Sequence, residues 1–460
     1  MHFPGLAPFT LLLVSLSDLQ DVPASYECLR GAYYGTYGIR RAFILGIPVR
    51  LQEEEENLVW IQREPWASPL LAAPFESEFD RLLGHLRRPT PLVVPQDSGL
   101  APQVTLKTAG VKLHVLSLLQ DGAVLAANNA VLRSLEATKL PSHWRYSFFP
   151  ASPLPLIPVP PRAKDRLRRA LATIRYNHIV ASIVNGISVH RLRAHVTRHS
   201  FSEDAPRAAA WLKTQFEVSG ALCELKPFQQ GYAPNVICHY PGSEVTTETI
   251  VLGAHYDDRG SFGSVRAPGA NDDASGTAAL LAIAHAIARR GVVFKANVML
   301  CAFAGEERGM VGSRAFAREL REQGVNVTLM IQADMLAYRV AGEPPQLGLS
   351  DPALVGTAEL TQILANVSAI YSPELKVGYL PYPGGSDHES FHENGFPAAQ
   401  VCERAGYTKD PMYHNSGDVS ERDGYDFEQI RSIAKVQLAT VLHVAGFDVP
   451  ERIPEAAGDD

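Results

Sequence analysis

Thr249–His255, reading TIVLGAH and followed by Tyr256-Asp257, is the stretch that decides the fold. It is an apolar run of strand length that turns polar only at its end, the pattern of a strand covered on both faces. Downstream, Ser275–Arg290 (SGTAALLAIAHAIARR) reads as a helix with arginines at its C-terminal end. Asn297–Ala304 (NVMLCAFA) reads as a second buried strand, Met310–Gln323 as a helix stopped by Gly324, and Val327–Ala333 (VTLMIQA) as a third strand. Apolar strands alternating with helices predict an α/β three-layer sandwich, with a mainly parallel mixed central sheet flanked by helices. Upstream, Ala163–Arg175, Val189–His199 and Asp204–Val218 read as helices, the last with Ser202 as its N-cap. There is no internal repeat.

Six prolines in Pro150–Arg162 (PASPLPLIPVPPR) mark a semi-rigid connector between this region and what precedes it. The organisation read from the sequence is a signal-like segment over 1–17, an accessory or pro-region over 18–149, the linker over 150–162, the α/β domain over 163–449 and a polar tail over 450–460. Within the accessory region, Arg41–Leu51 and Val104–Leu119 are strand-like, and the acidic run Glu53–Glu56 reads as a solvated loop. Leu6–Leu16 is a short apolar run with small residues at Ser15 and Ser17 suited to signal-peptidase cleavage, although only His2 precedes it as a basic group. Secretion is the expectation, and Asn326-Val327-Thr328 and Asn366-Val367-Ser368 are then candidate glycosylation sites. No other apolar run approaches the roughly 18–20 residues of a membrane helix.

With 46% hydrophobic and 20% charged residues, the 460-residue chain has ordinary globular composition and needs no disulfide to hold a core. A formal charge of -7 argues against a nucleic-acid partner. None of the cysteines, at 28, 223, 238, 301 and 402, stands at Cys-x-x-Cys spacing, which excludes a usual thiolate zinc site. Cys223 and Cys238 lie in neighbouring strand-like segments, either as a cross-hairpin disulfide or as two buried thiols. Cys301, inside an apolar strand, is a packing residue.

Ligand-type residues gather where an α/β sheet places function, at the C-terminal ends of its strands. His255-Tyr256-Asp257 ends the first strand, Asp272-Asp273 precede a helix, Glu306-Glu307 follow the second strand and Asp334 the third. Tyr413–Asp418 supplies a further histidine, His414, in a loop. Each alone has a bland reading, since acidic residues often stand before helices to oppose the dipole. Five such coincidences in order point to a pair of zinc ions held by imidazole and carboxylate, with a position left for water. Cobalt or manganese would suit the same donors. Such a water is acidified and becomes a nucleophile. One of two adjacent glutamates can then bind metal while the other acts as base. In His-x-Asp both side chains share a strand face, which lets Asp257 orient the His255 ring.

The segments GAHYDD, APGANDDASGTAALLAIA, FAGEERGMVGS, QADML, GGSDHESFHENGFPAAQV and YHNSGDV resemble, in order, the blocks of the co-catalytic di-zinc exopeptidase family. That family includes secreted leucyl aminopeptidases, with glutamate carboxypeptidases and glutaminyl cyclases as relatives. The resemblance runs from about Arg191 to Phe447 and leaves the N-terminal part uncovered. It implies that His255 and Asp334 bind one zinc, Glu307 and His414 the other, and that Asp272 bridges them. It further implies Glu306 as general base and Asp257 as the His255 orienter. Asp273 becomes a helix N-terminal residue, Ser386-Asp387-His388 supporting architecture and Asp418 a local hydrogen-bonding group. His285, on an apolar helix, reads as a packed core residue.

The function so implied is removal of the N-terminal residue of a peptide. A carboxypeptidase or dipeptidase on the same site remains an alternative, because a C-terminal carboxylate could be held by arginines distant in sequence. Glutaminyl cyclase fits less well, because the Ala-Ser-Gly turn and the Glu-Glu-Arg-Gly-Met-Val-Gly-Ser continuation resemble the peptidase branch. A non-catalytic scaffold would be expected to have lost a ligand or the base, and every position is filled by a competent residue type.

Overall fold

The computed structural model describes residues 153–450, apart from 191–196, 262–263, 265, 354 and 382–384, together with 10–15, 32–37, 40–45, 56–63, 113–118, 122–128 and 144–149. Residues 1–9 and 16–17 of the signal-like segment, 53–55 of the acidic run, 150–152 of the Pro-rich stretch and 451–460 of the tail lie outside the described residues. The chain divides into two compact units, one built chiefly from Met1–Pro155 and the other chiefly from residues 156–460.

The first unit is antiparallel β structure. Strands β1 (Thr10–Ser15), β2 (Tyr33–Tyr37) and β3 (Arg40–Leu45) form one sheet in the order β1-β3-β2. Strands β4 (Glu56–Arg63), β5 (Leu113–Leu118), β6 (Gly122–Asn128) and β7 (Trp144–Phe148) form another in the order β5-β6-β4-β7. Trp60 and Tyr146 are buried within the second sheet, alongside Val59, Ile61 and the run Ala123–Ala127.

The second unit opens with helices α1 (Pro161–Thr173), α2 (His178–Val184) and α3 (Asp204–Val218). Pro161 sits in the first turn of α1, where a missing N–H costs nothing, so the Pro-rich stretch ends inside a helix. The helix expected over Val189–His199 is not seen: 189–190 and 197–199 are non-helical, and 191–196 lie outside the described residues. Glu203, not Ser202, is the residue before α3, yet the Ser202 hydroxyl still accepts from the Ala205 amide at 3.2 Å.

Ten further strands follow among the described residues. They are β8 (Leu222–Lys226), β9 (Asn235–Tyr240), β10 (Glu248–His255), β11 (Val293–Phe294), β12 (Asn297–Phe303), β13 (Asn326–Ala333), β14 (Gln346–Leu349), β15 (Lys376–Tyr379), β16 (Ala398–Cys402) and β17 (Phe447–Asp448). Eight of them form one mixed sheet in the order β15-β14-β16-β13-β10-β12-β9-β8. Its centre is parallel, with β10 between β12 and β13 and β16 beyond β13. The β8–β9 hairpin registers Cys223 directly on Cys238, and the two form a disulfide.

Helices α4 (Ala274–Arg290), α5 (Val311–Glu322), α6 (Ala358–Tyr371), α7 (His388–Glu393) and α8 (Phe427–Ala445) complete the layers. Strand β10 shows why its sequence is apolar throughout. Ile250, Leu252 and Ala254 pack in the core shared with α4, α6 and α8, while Val251 packs in the core of Phe316 and Leu320 from α5 and Phe391 from α7. His285 departs from the expectation of a core residue. It is exposed, because α4 buries the face carrying Leu280, Leu281, Ile283 and Ile287 and turns 285 to solvent.

Two residues before His255, Gly253 leaves room that the buried side-chain ends of Gln332, Met330 and Phe303 occupy. A Cβ there would lie 2.5 Å from Gln332 Oε1 and 2.7 Å from Met330 Cε. Gly253→Ala should therefore destabilise the unit by about 1–3 kcal/mol through overpacking. Urea unfolding should show a lower midpoint at unchanged slope; an unmoved midpoint would mean the sheet yields more easily than its packing indicates.

Candidate metal centre

Three neighbouring parallel strands deliver the site. His255 is the last residue of β10. Beyond β12 the chain passes through Gly305, at φ 75°, into a single 3-10 turn, Glu306–Arg308. Asp334 follows the last residue of β13. Asp272 and Asp273 end the loop that leads into α4, joined by a cis peptide bond, and His414 comes from the loop before α8.

These side chains form two groups whose ligand atoms lie within 4.8 Å of one another: His255, Asp273 and Asp334, and Asp272, Glu307 and His414. All six are buried. Asp272 belongs to the second group by distance, yet its Oδ1 lies 3.2 Å from His255 Nε2, closer than Asp334 Oδ1 at 3.6 Å. Asp272 thus faces both groups. Asp273 falls in the first group, but its carboxylate is occupied by backbone. Oδ1 accepts from the Gly276 amide at 2.9 Å, capping α4, and from Met335 at 3.2 Å, while Oδ2 accepts from His255 at 3.2 Å.

Asp257 and Glu306 are placed together. The His255 ring donates through Nδ1 to the Asp257 backbone carbonyl at 3.1 Å, whereas the Asp257 carboxylate is 3.8 Å from that nitrogen. The ring is therefore set by the carbonyl, because β10 ends at His255 and strand alternation no longer governs residue 257. The carboxylate accepts the Ser200 hydroxyl at 2.6 Å and the Glu306 amide at 3.1 Å, fixing the glutamate turn.

Burial pulls the His255 imidazole down, but hydrogen bonds to Asp272 and Asp334 and the charges of Asp334 and Glu306 outweigh it and hold the ring well above its ordinary pKa. Burial raises the Asp257 carboxyl, partly offset by the His255 charge, Ser200 and the Glu306 amide. The surplus of buried carboxylate draws a proton to the ring, and a divalent cation supplies the same compensation. With Nδ1 engaged by a carbonyl, Nε2 faces the carboxylates as a ligand nitrogen should. Imidazole plus carboxylate in two adjacent buried groups fits zinc. His414 and Met335 hold positive φ values of 51° and 54°, backbone strain of the kind that persists at functional sites.

Several residues support the site, and of these Arg198, Arg308 and His199 carry no sequence signal. Arg198 donates to the carbonyls of Tyr256, Pro268 and Gly269 and pairs with Asp258. Arg308 donates to the Glu307 carbonyl at 3.2 Å and to His199, whose imidazole is pushed down to about 3 by burial and the Arg308 charge. Asp418 accepts the backbone amides of Asn271 and Asp272 and is paired with Arg422. Ser386, Asp387 and His388 are fully buried at the start of α7, with Asp387 accepting from Gln332 at 2.9 Å. Cys301 is buried and free.

Residues 235–441 match Peptidase family M28. A probable leucine aminopeptidase of Arthroderma otae is 30% identical over 293 residues, covering 59% of this chain and 76% of that protein. The chain belongs to peptidase family M28. A probable zinc metalloprotease of Pyrenophora tritici-repentis is 26% identical, over 63% of this chain and 70% of its own length. Among solved structures, the M28 chain is similar in fold to the Legionella pneumophila aminopeptidase LapA, with TM-score 0.54, 20% identity, and coverage of 85% of this chain and 99% of that one. LapB from the same organism gives TM-score 0.55 at 18% identity, with coverage of 85% and 100%.

Ser200→Ala removes one of the donors to the fully buried Asp257 carboxylate, and should cost about 1–3 kcal/mol of stability. Comparing denaturation midpoints of the two proteins checks this; equal midpoints would show that Asp257 does not depend on the hydroxyl.

Proposed function

We propose that this M28 peptidase is a zinc aminopeptidase that binds two zinc ions per chain, His255 and Asp334 holding one, Glu307 and His414 the other, with Asp272 between them. The observation that carries the reading is the pair of buried histidine–carboxylate groups with Asp272 facing both, and Glu306 at the adjoining strand end. The bound zinc would acidify water and polarise the scissile carbonyl. Glu306 accepts a proton from the attacking water and returns it to the departing amine as the C–N bond breaks. Asp257 fixes the backbone of that glutamate, and its carbonyl fixes the His255 ring.

The choice of the amino end follows from charge. A free substrate α-amine is attracted to a site lined by carboxylates. The buried Arg198 and Arg308 are already committed to backbone carbonyls and to Asp258 and His199, so neither is aimed at a C-terminal carboxylate.

Free-amine aminoacyl anilides should be hydrolysed and N-acetylated peptides spared, with chelation abolishing turnover and added zinc restoring it. Glu306→Gln, nearly isosteric, should lower kcat by about 10²–10⁴-fold with metal still bound. Cleavage confined to blocked peptides would transfer the assignment to a carboxypeptidase, and undiminished turnover in the variant would remove Glu306 as the base.

We further propose that the chain passes through an oxidising secretory route. The Cys223–Cys238 disulfide and the exposure of both sequon asparagines, Asn326 and Asn366, support this. Protein recovered from a secreting eukaryotic host should carry the bridge and lose mass on endoglycosidase treatment. Free thiols with no mass change would place it in a reducing compartment instead.

A further inference from the structure

The bridging position asks more of Asp272 than of any other ligand, because one side chain must face two metal sites at once. Its backbone is held from behind by a charge relay. The Asp418 carboxylate accepts the Asn271 amide at 3.1 and 2.9 Å and the Asp272 amide at 3.0 Å. The Asp418 carbonyl accepts the Ala270 amide at 2.9 Å, so three successive residues of the ligand loop hang from one aspartate. Asp418 is in turn gripped by Arg422 Nη2 at 2.9 Å.

Arg422 also takes the Asp410 carboxylate through both ends of its fork, with Nη1 to Oδ1 at 2.7 Å and Nη2 to Oδ2. Asp410 Oδ2 accepts from Asn271 Nδ2 at 2.8 Å, which brings the relay back to the residue before Asp272. Asp410 and Asp418 are almost wholly buried and the Arg422 side chain is only 11% exposed. The guanidinium also lies over the Tyr338 ring, 5.2 Å from its centroid. A bidentate planar fork is what lets one cation fix two carboxylates at a set angle, and lysine cannot reproduce it.

We infer that Arg422, acting through the Asp418 carboxylate, is a positioning residue that sets the Asn271–Asp272 backbone so that the Asp272 side chain faces both zinc sites. This rests on the zinc-peptidase reading. Removing the guanidinium leaves Asp410 and Asp418 buried side by side with no shared cation, and their repulsion would turn Asp418 away from the Asp272 amide. The consequence falls on the metal before it falls on the fold, because outer hydrogen-bond partners of metal ligands govern affinity.

The test uses the zinc-loaded full chain, challenged with graded chelator, in native form and as Arg422→Met, Arg422→Lys, Asp418→Asn and Arg339→Met. Arg422→Met and Asp418→Asn should weaken zinc by about 10–100-fold. Arg422→Lys should recover part of that loss. Arg339→Met breaks a more exposed ion pair, to Asp426 at 2.6 Å, and should leave zinc affinity unchanged. Visible absorption of cobalt-substituted protein should change in the Arg422 and Asp418 variants alone. If Arg422→Met does not fold, the near-isosteric Asp418→Asn decides the matter. Native zinc affinity and cobalt spectrum in either folded variant overturn the inference and leave the peptidase reading intact. A native chain that binds no zinc overturns both.

Discussion

Six carboxylates are buried together, those of Asp257, Glu306, Glu307 and Asp334 just beyond the ends of three adjacent strands and those of Asp272 and Asp273 in the loop before α4, and the rest of the unit is arranged around that cost. Unpaired, such charges would be expelled to solvent or protonated. Here they are divided by environment. Asp273 and Asp257 are spent on backbone amides and a hydroxyl, which makes them parts of the scaffold. Asp272 and Asp334 are turned toward a histidine nitrogen, and Glu307 toward the second group. The same chemical group thus sits in different surroundings, and what distinguishes one carboxylate from another is which N–H groups reach each oxygen.

That division needs a platform that does not move. Strand β10 is buried on both faces and flanked by parallel neighbours, so His255 is fixed by packing in two cores at once. Gly253 allows Gln332 to reach across beneath it to Asp387, which ties β13 to the start of α7. Interiors at crystal-like density transmit small displacements instead of absorbing them. A shift in any of the three strands would therefore move His255, Glu307 or Asp334.

Much of this was legible in the sequence because it rests on short-range pattern. Apolar runs of strand length with ligand-type residues just beyond them give both the sheet and the positions of His255, Glu306, Glu307 and Asp334. Where the sequence misled, the reason is local. Alternation would put Asp257 on the face of His255, but β10 ends at His255, two residues before it. His285 looked like core because α4 is so rich in alanine that its solvent face does not announce itself. The Cys223–Cys238 pairing stayed open until the hairpin register closed it. What no local pattern could show is the partnering of Asp258 with Arg198, of Asp257 with Ser200, and of Asn271 with Asp410 and Asp418, at separations of 57 to 147 residues. Those contacts exist only once the chain is folded.

The arginines show how far function depends on such contacts. By count alone, a chain with buried Arg198, Arg259 and Arg308 around an acidic centre looks equipped to hold a substrate carboxylate. Geometry reverses that for two of them. Arg198 fastens the loop between β10 and α4 through three carbonyls, and Arg308 folds back on the carbonyl of Glu307 and on a neutral His199. A guanidinium already engaged by carbonyls or a ring nitrogen gains little by exchanging them for a ligand that arrives with its own hydration to lose. Arg198 and Arg308 act on the position of the loops that carry Asp272 and Glu307, and the buried carboxylates gathered there make the centre acidic. Such a centre favours a cationic amine at the end of the peptide.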